Sequence, residues 1–109
     1  MRARYAAYAL GKTQYIMDTT AVRRADEGVW RAEIKRFSAY TLFHSLEIRS
    51  FEDGESVAYV TFRAGLTQGE VDASFTEKSR FIRRDRWYYA DGIRISDEHA
   101  AQLPDLGPG

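Results

Sequence analysis

Phe75-Thr76-Glu77-Lys78-Ser79-Arg80-Phe81-Ile82-Arg83-Arg84-Asp85-Arg86-Trp87-Tyr88-Tyr89-Ala90-Asp91-Gly92 reads as two extended segments joined by a tight reversal. Alternate residues of a strand point to the same face. Phe75, Glu77, Ser79 and Phe81 therefore share one side of the first segment, and Trp87, Tyr89 and Asp91 share one side of the second. A carboxylate stands among aromatic rings, the pattern of a polar site inside a curved sheet. For Phe81 and Trp87 to face the same way, the reversal at Arg83-Arg84-Asp85 needs an odd number of loop residues or a bulge, because a slip of one residue exchanges the faces.

Upstream of this hairpin the alternation continues. Ala58, Val60, Phe62 and Ala64 lie on one side of a strand from Ser56 to Ala64, and Leu46 and Ile48 share a face of a strand entered from Leu42. Glu52-Asp53-Gly54-Glu55 supplies the turn between them, and Gly65 to Gly69 a second turn. A long third strand, Val71 to Arg84, and a fourth, Arg86 to Ile93, complete the set.

Before Leu42 the apolar period is helical. Arg2 to Leu10 has Tyr5, Tyr8 and Ala9 at three- and four-residue spacing and is closed by Gly11, where a left-handed cap is favoured. Thr13 caps a second short helix with Tyr15, Ile16 and Thr19 on its inner stripe. After a connection over Ala21 to Ala25, Asp26 caps a third helix that runs to about Phe37 and buries Val29, Trp30, Ile34 and Phe37. Ser96-Asp97-Glu98-His99 opens as a helical turn, and Pro104 with the Gly/Pro end marks a loose tail.

Three short helices followed by antiparallel strands predict an α+β domain, with the N-terminal helices on the concave face of a curved, mostly antiparallel four-stranded sheet. The cone spans residues 1–95 and the tail 96–109. Tyr5, Tyr8, Tyr15, Trp30, Phe62 and Phe75 are expected to line or fill its interior, together with Phe81, Trp87 and Tyr89. Arg4, Glu77 and Ser79 are its polar members.

With 109 residues and a 44% apolar composition the chain makes one domain with one core. Sixteen basic and sixteen acidic side chains cancel, leaving no overall field to draw the protein onto nucleic acid or an anionic membrane. The absence of cysteine excludes disulfides, thiolate chemistry and Cys-based zinc sites, and His44 and His99 stand too far apart in sequence to form a familiar metal motif. Neither a metal nor a cofactor is expected. No apolar run approaches the roughly 20 residues that span a bilayer, so the expected compartment is the cytoplasm and no membrane partner is foreseen.

Met1-Arg2-Ala3-Arg4-Tyr5-Ala6-Ala7-Tyr8-Ala9-Leu10-Gly11, the segment from Tyr15 to Thr19, and Phe75-x-Glu77-x-Ser79-x-Phe81 with Trp87-Tyr88-Tyr89-x-Asp91-Gly92 resemble the YchJ-like middle domain. The resemblance covers about residues 1 to 93 and implies the cystatin-like cone of nuclear transport factor 2. Longer members of that family are similar to a three-part chain with cysteine-rich zinc motifs like those at the end of the SecA translocase, and this sequence has none. The position matching Met1 lies inside the chain in those relatives, so the start marks a trimmed piece, a misassigned initiation site or a naturally reduced form. At the hairpin tip Arg84-Asp85-Arg86 replaces the Asp-Gly pair usual in the family. The family is one of unknown activity, so the resemblance implies a shape more than a reaction.

Glu77 is the first candidate for a functional acid. A carboxylate on an apolar face is costly unless paired or protonated, which suits either general acid/base chemistry or an internal ion pair in which Arg4 reaches across from the first helix. Asp91 is the candidate for a second catalytic carboxylate, against the plainer reading of Asp91-Gly92 as a turn. Tyr8, Tyr15 and Tyr89 could donate hydrogen bonds to a ligand carbonyl or simply satisfy their hydroxyls within the fold. Ser79 has no histidine beside it in the motif, and His44 reads as an ordinary strand residue. Arg80, Arg83, Arg84 and Arg86, beside Trp87, have the makings of a grip on phosphate or RNA by charge and stacking; alternation splits them between faces, and a solvated tip is the better reading.

Two functions are compatible with these residues. The first is a non-catalytic binding module that takes a small apolar or carbonyl ligand in the cone and forms a homodimer through the outer sheet face of Val57, Tyr59, Thr61 and Ile82. The second is a small cofactor-free enzyme of the ketosteroid-isomerase or dehydratase kind, using Glu77 or Asp91 as base with a tyrosine donor. The enzyme needs an open cavity of at least roughly 300 Å³ with Glu77 on its wall.

Overall fold

Three helices come first in the computed structural model, which describes residues 1–22 and 24–96: α1 (Arg2–Ala9), α2 (Thr13–Asp18) and α3 (Glu27–Tyr40). Gly11 closes α1 with φ +70, the left-handed conformation that glycine reaches without a Cβ penalty. On α2, Thr13, Ile16 and Met17 are buried, and Ile16 at the centre of that face sets Tyr15 one residue, about 100°, to the side. Tyr15 is accordingly exposed, contrary to the expected stripe, and Met17 takes the inner place. The same geometry acts on α3. Trp30 and Ile34, four apart, are buried and Phe37 is half-buried, whereas Val29, expected inside, is 56% exposed. Asp26 occupies the N-cap position of α3 without a capping hydrogen bond, its carboxylate being taken by Arg24.

Five strands follow: β1 (Thr41–Glu52), β2 (Val57–Gln68), β3 (Val71–Asp72), β4 (Phe75–Arg83) and β5 (Trp87–Ile95). They form one antiparallel sheet in the order β1-β2-β4-β5, with β3 paired to β2. Two strand boundaries differ from those expected. The presumed turn from Gly65 is strand, because Gly65 faces Ser45 at a bulge in β1 and a Cβ there would collide with the Ser45 hydroxyl. The reversal falls instead at Gly69, with φ +63. The presumed long third strand is two pieces, broken where the Leu66 backbone N–H donates to Ser74 Oγ at 3.0 Å and the Ser74 N–H to Asp72 Oδ1 at 2.9 Å.

Irregularities in the ladder bend the sheet. Register shifts lie between Phe43 and Ser45, between Ile48 and Ser50, and opposite Arg80 and Phe81. At the β4–β5 hairpin Arg83 pairs with Trp87 across the three residues Arg84, Asp85 and Arg86, the odd count needed to keep Phe81 and Trp87 on one face. Tyr88 Oη donates to Asp85 Oδ1 at 2.7 Å and pins this tip.

The interior divides into two apolar clusters. One belongs to the sheet and gathers Ile48, Val60, Phe62, Ala64, Leu66 and Phe81, with Tyr5 and Phe37 packed on it from the helices. The other lies between the helices and gathers Ala7, Ile16, Met17, Trp30 and Ile34. A single domain usually closes such clusters into one core. Members of both clusters, Trp30 and Ile34 from the helices and Phe62, Ala64 and Leu66 from the sheet, face one shared cavity, the cone's interior. The expected helical turn at Ser96 to His99 and the tail, 96–109, lie outside the described residues apart from Ser96.

Candidate functional site

Glu77 leaves the inner face of β4 with Phe75 and Phe81 on either side along the strand, as alternation requires. Its side chain keeps only 14% of its accessible surface. Ser79 Oγ, two residues on and completely buried, donates to Glu77 Oε2 at 2.5 Å, and Tyr89 Oη donates to the same oxygen at 3.2 Å. The other oxygen, Oε1, lies 3.6 Å from Arg94 Nε. Burial, reinforced by the charge of Glu77 and the hydrogen bond to it, pushes the Tyr89 phenol up to about 12, so Tyr89 remains a proton donor to the carboxylate at neutral pH.

Tyr89 is held at both ends. Its backbone N–H donates to Thr19 O and its carbonyl accepts from Ala21 N, both at 2.8 Å, tying β5 to the end of α2. Its ring lies against the edge of Phe81 and beneath Arg4, whose guanidinium carbon is 4.4 Å from the ring centre. Arg4 does not meet Glu77 as expected. It donates to Thr19 Oγ1 at 3.2 Å, Thr20 Oγ1 at 3.1 Å and Ile16 O at 3.4 Å, locking α1 to the end of α2, where free carbonyl groups attract a cation.

Gly92 makes room for this arrangement. A Cβ at Gly92 would lie 2.5 Å from Glu77 Oε2 and 2.9 Å from Tyr89 Oη. The Asp-Gly pair is thus not a turn: both residues lie inside β5, and the glycine marks a close approach of side chains. The signal was in the sequence, since a glycine inside a strand pattern can mark a close approach as well as an end.

Asp91 is on the opposite face. One extra residue on β5, Ala90, separates the Phe81–Tyr89 pair from the Arg80–Asp91 pair, and the residue after such a bulge changes sides. Arg80 grips Asp91 with Nε and Nη2 at 2.9 and 2.8 Å and holds its carboxyl below the usual range. The expected second acid of a catalytic pair is therefore outside the cone.

Between the two apolar clusters lies a cavity of about 370 Å³. Of the predicted interior residues, Arg4, Tyr5, Tyr8, Trp30, Phe62, Phe75, Glu77 and Tyr89 line it. Tyr15, Phe81 and Trp87 line a second cavity of about 280 Å³ that shares Arg4 and Tyr89 with the first. Ser79 lines neither. Three charged residues of the main cavity escaped sequence reasoning: Arg24, Glu33 and Arg94. Arg24 is engaged with Asp26 at 2.6 Å and Glu33 at 2.7 Å. Arg94 lies beyond the expected end of the last strand and faces inward only because of the bulge at Ala90.

The remaining candidates have ordinary surroundings. His44 Nε2 lies 2.9 Å from Thr67 Oγ1 on the neighbouring strand. Arg83, Arg84 and Arg86 are exposed, with Arg84 over Tyr88 and Arg86 over Tyr15. The outer face of Val57, Tyr59, Thr61 and Ile82 carries its own polar contacts. Thr61 is buried, and Lys78 lies over the Tyr59 ring at 4.9 Å while pairing with Glu52 at 2.9 Å. Among the described residues no three His, Asp or Glu side chains gather to hold a metal, and no helix is long and apolar enough to cross a membrane.

The family described as YchJ, middle NTF2-like domain, matches residues 1–92. The solution structure of a SEC-C motif-containing protein from Rhodopseudomonas palustris superposes with a TM-score of 0.73 at 29% identity, over 88% of this chain and 76% of that one. A crystal structure of a SEC-C motif-containing protein from Psychrobacter arcticus gives a TM-score of 0.69 at 24% identity, over 89% of this chain and 59% of that one, and is similar in fold alone.

Proposed function

This chain belongs to the family of the YchJ middle, NTF2-like domain, and on that premise we propose that it is a non-catalytic binding module which takes one small apolar or carbonyl ligand in its cone. The observation that carries this reading is the state of Glu77. Two hydroxyls occupy Oε2, an arginine stands at Oε1, and the only other candidate acid, Asp91, is bound to Arg80 on the far side of the sheet. A carboxylate so committed positions its neighbours better than it accepts a substrate proton. The space of about 370 Å³, walled by tyrosine, phenylalanine and tryptophan rings, lies within the range of about 300–1,000 Å³ usual for small-molecule sites.

Titration with a small aromatic ketone such as acetophenone, followed by amide NMR shifts, tests this. Saturable shifts at residues around Phe62 and Trp30 are expected. Ala64→Leu, which places a larger side chain in the cavity wall, should abolish them. No saturable shift in the parent protein would overturn the binding reading.

The cavity's size, with Glu77 on its wall and Tyr89 held as a donor beside it, supports a second reading as a proton-transfer enzyme. Its signature is catalysed exchange of the ketone's α-protons with deuterated solvent that disappears in Glu77→Gln. Binding without exchange leaves the module reading alone.

A further inference from the structure

The charges around the main cavity are not balanced. Three arginines line it, Arg4, Arg24 and Arg94, against two glutamates, Glu33 and Glu77. Arg24 is neutralised by Asp26 and Glu33. Arg4 donates only to uncharged oxygens. Arg94 is the accessible one: its guanidinium carbon lies 3.6 Å from the centre of the Phe75 ring, its Nε faces Glu77 at 3.6 Å, and its side chain is 64% exposed.

That geometry differs from a free surface arginine. Stacking on Phe75 and the contact at Nε fix the plane of the guanidinium, while among the described residues its two terminal nitrogens have no carboxylate on them. A planar fork held in place at the rim of an aromatic cavity is pre-organised for a bidentate anion, and little rotamer freedom remains to be lost on binding. Glu77, 3.6 Å from Arg94 Nε, penalises a dianion more than a monoanion, which favours a carboxylate over a phosphate. The volume of about 370 Å³ is at the small end of ligand sites and suits one ring with a short arm.

We propose that the ligand of this cavity is a small aromatic monocarboxylate, its ring among Phe62, Phe75 and Trp30 and its carboxylate on the terminal nitrogens of Arg94. This inference rests on the binding reading and adds to it the ligand's charge and the residue that selects it.

The test compares 3-phenylpropionate with its neutral isostere 3-phenylpropionamide by NMR titration of the 109-residue protein near neutral pH. The acid is expected to bind roughly tenfold more tightly, the advantage of a charge-assisted hydrogen-bonded pair over a neutral one. Arg94→Gln should remove that preference by weakening the acid more than the amide, and Arg94→Lys, which keeps the charge but not the fork, should restore part of it. Equal affinity for acid and amide, with both blocked by Ala64→Leu, overturns the assignment of an anionic ligand and leaves the binding module standing. A preference for the acid that survives Arg94→Gln overturns the role of Arg94. Binding of neither probe overturns both the inference and the reading beneath it.

Discussion

Glu77 on β4 turns into the cone and keeps 14% of its side-chain surface, whereas Asp91 on β5, one rung from the residue that pairs with Ser79, turns outward and keeps 63%. The two carboxylates are chemically alike, and their surroundings differ in kind. Asp91 is met by a guanidinium in water, where desolvation is slight and the pair contributes little. Glu77 is met chiefly by hydroxyls in a largely buried wall, where a donor left without an acceptor is costly. One side of the sheet is therefore tolerant and the other exacting, and the bulge at Ala90 is what puts Asp91 on the tolerant side.

Replacing Gly92 by valine should have the largest effect. Its Cβ would lie 2.5 Å from Glu77 Oε2 and 2.9 Å from Tyr89 Oη, so the inner carboxylate would be forced off the hydroxyls that hold it. The expected outcome is loss of cooperative unfolding in urea; a protein that melts as the parent does would show that the inner face is as tolerant as the outer.

Replacing Glu77 by leucine comes next. Ser79 would keep a buried hydroxyl and Tyr89 a half-buried one with no acceptor, for a loss of about 2 kcal/mol in urea-derived stability, most of it recovered when Ser79→Ala and Tyr89→Phe are added. Failure of the triple variant to recover would mean that the hydroxyls do not depend on the carboxylate.

A smaller effect is the pH dependence set by Tyr89. Its folded value, about 12, lies above the ordinary value of about 10, so the stabilisation is complete below pH about 10 and is lost as pH rises through about 12. Discounted for partial exposure, the change is roughly 1–2 kcal/mol. Tyr89→Phe should flatten that part of the stability profile relative to the parent.

The smallest change is expected from Asp91→Asn. Arg80 holds this carboxyl below its usual range, so its contribution is present above pH about 4 and is lost as pH falls through the depressed value. At neutral pH the melting temperature should move little, and high salt should erase the difference. A drop as large as that for Glu77→Leu would break the contrast between the two faces.

The alternation of Phe75, Glu77, Ser79 and Phe81 was legible because a strand's period is two whatever it packs against, and the inner face of β2 was legible for the same reason. Helix existence was legible from spacing; which residue of α2 or α3 points inward was not, since Tyr15 and Val29 stand one position beside the true centre of each stripe. Asp91 was misplaced for a different cause. A bulge is a property of two strands in register, and nothing in Tyr89-Ala90-Asp91 taken alone announces it. Arg4 illustrates a third: its charge required a partner, and the sequence offers many, but only the approach of α1 to the end of α2 selects Thr19 and Thr20 over Glu77.

By itself the sequence determined the order of helices and strands, the inward carboxylate and the aromatic character of its surroundings, because these follow from periods and polarity that each segment carries locally. Tertiary structure alone decided that the apolar residues form two clusters with a cavity between them, that Arg94 stands at its rim and that Asp91 is outside. Those outcomes depend on the spacing of packed layers and on ladder register, which arise only when segments distant in the chain meet.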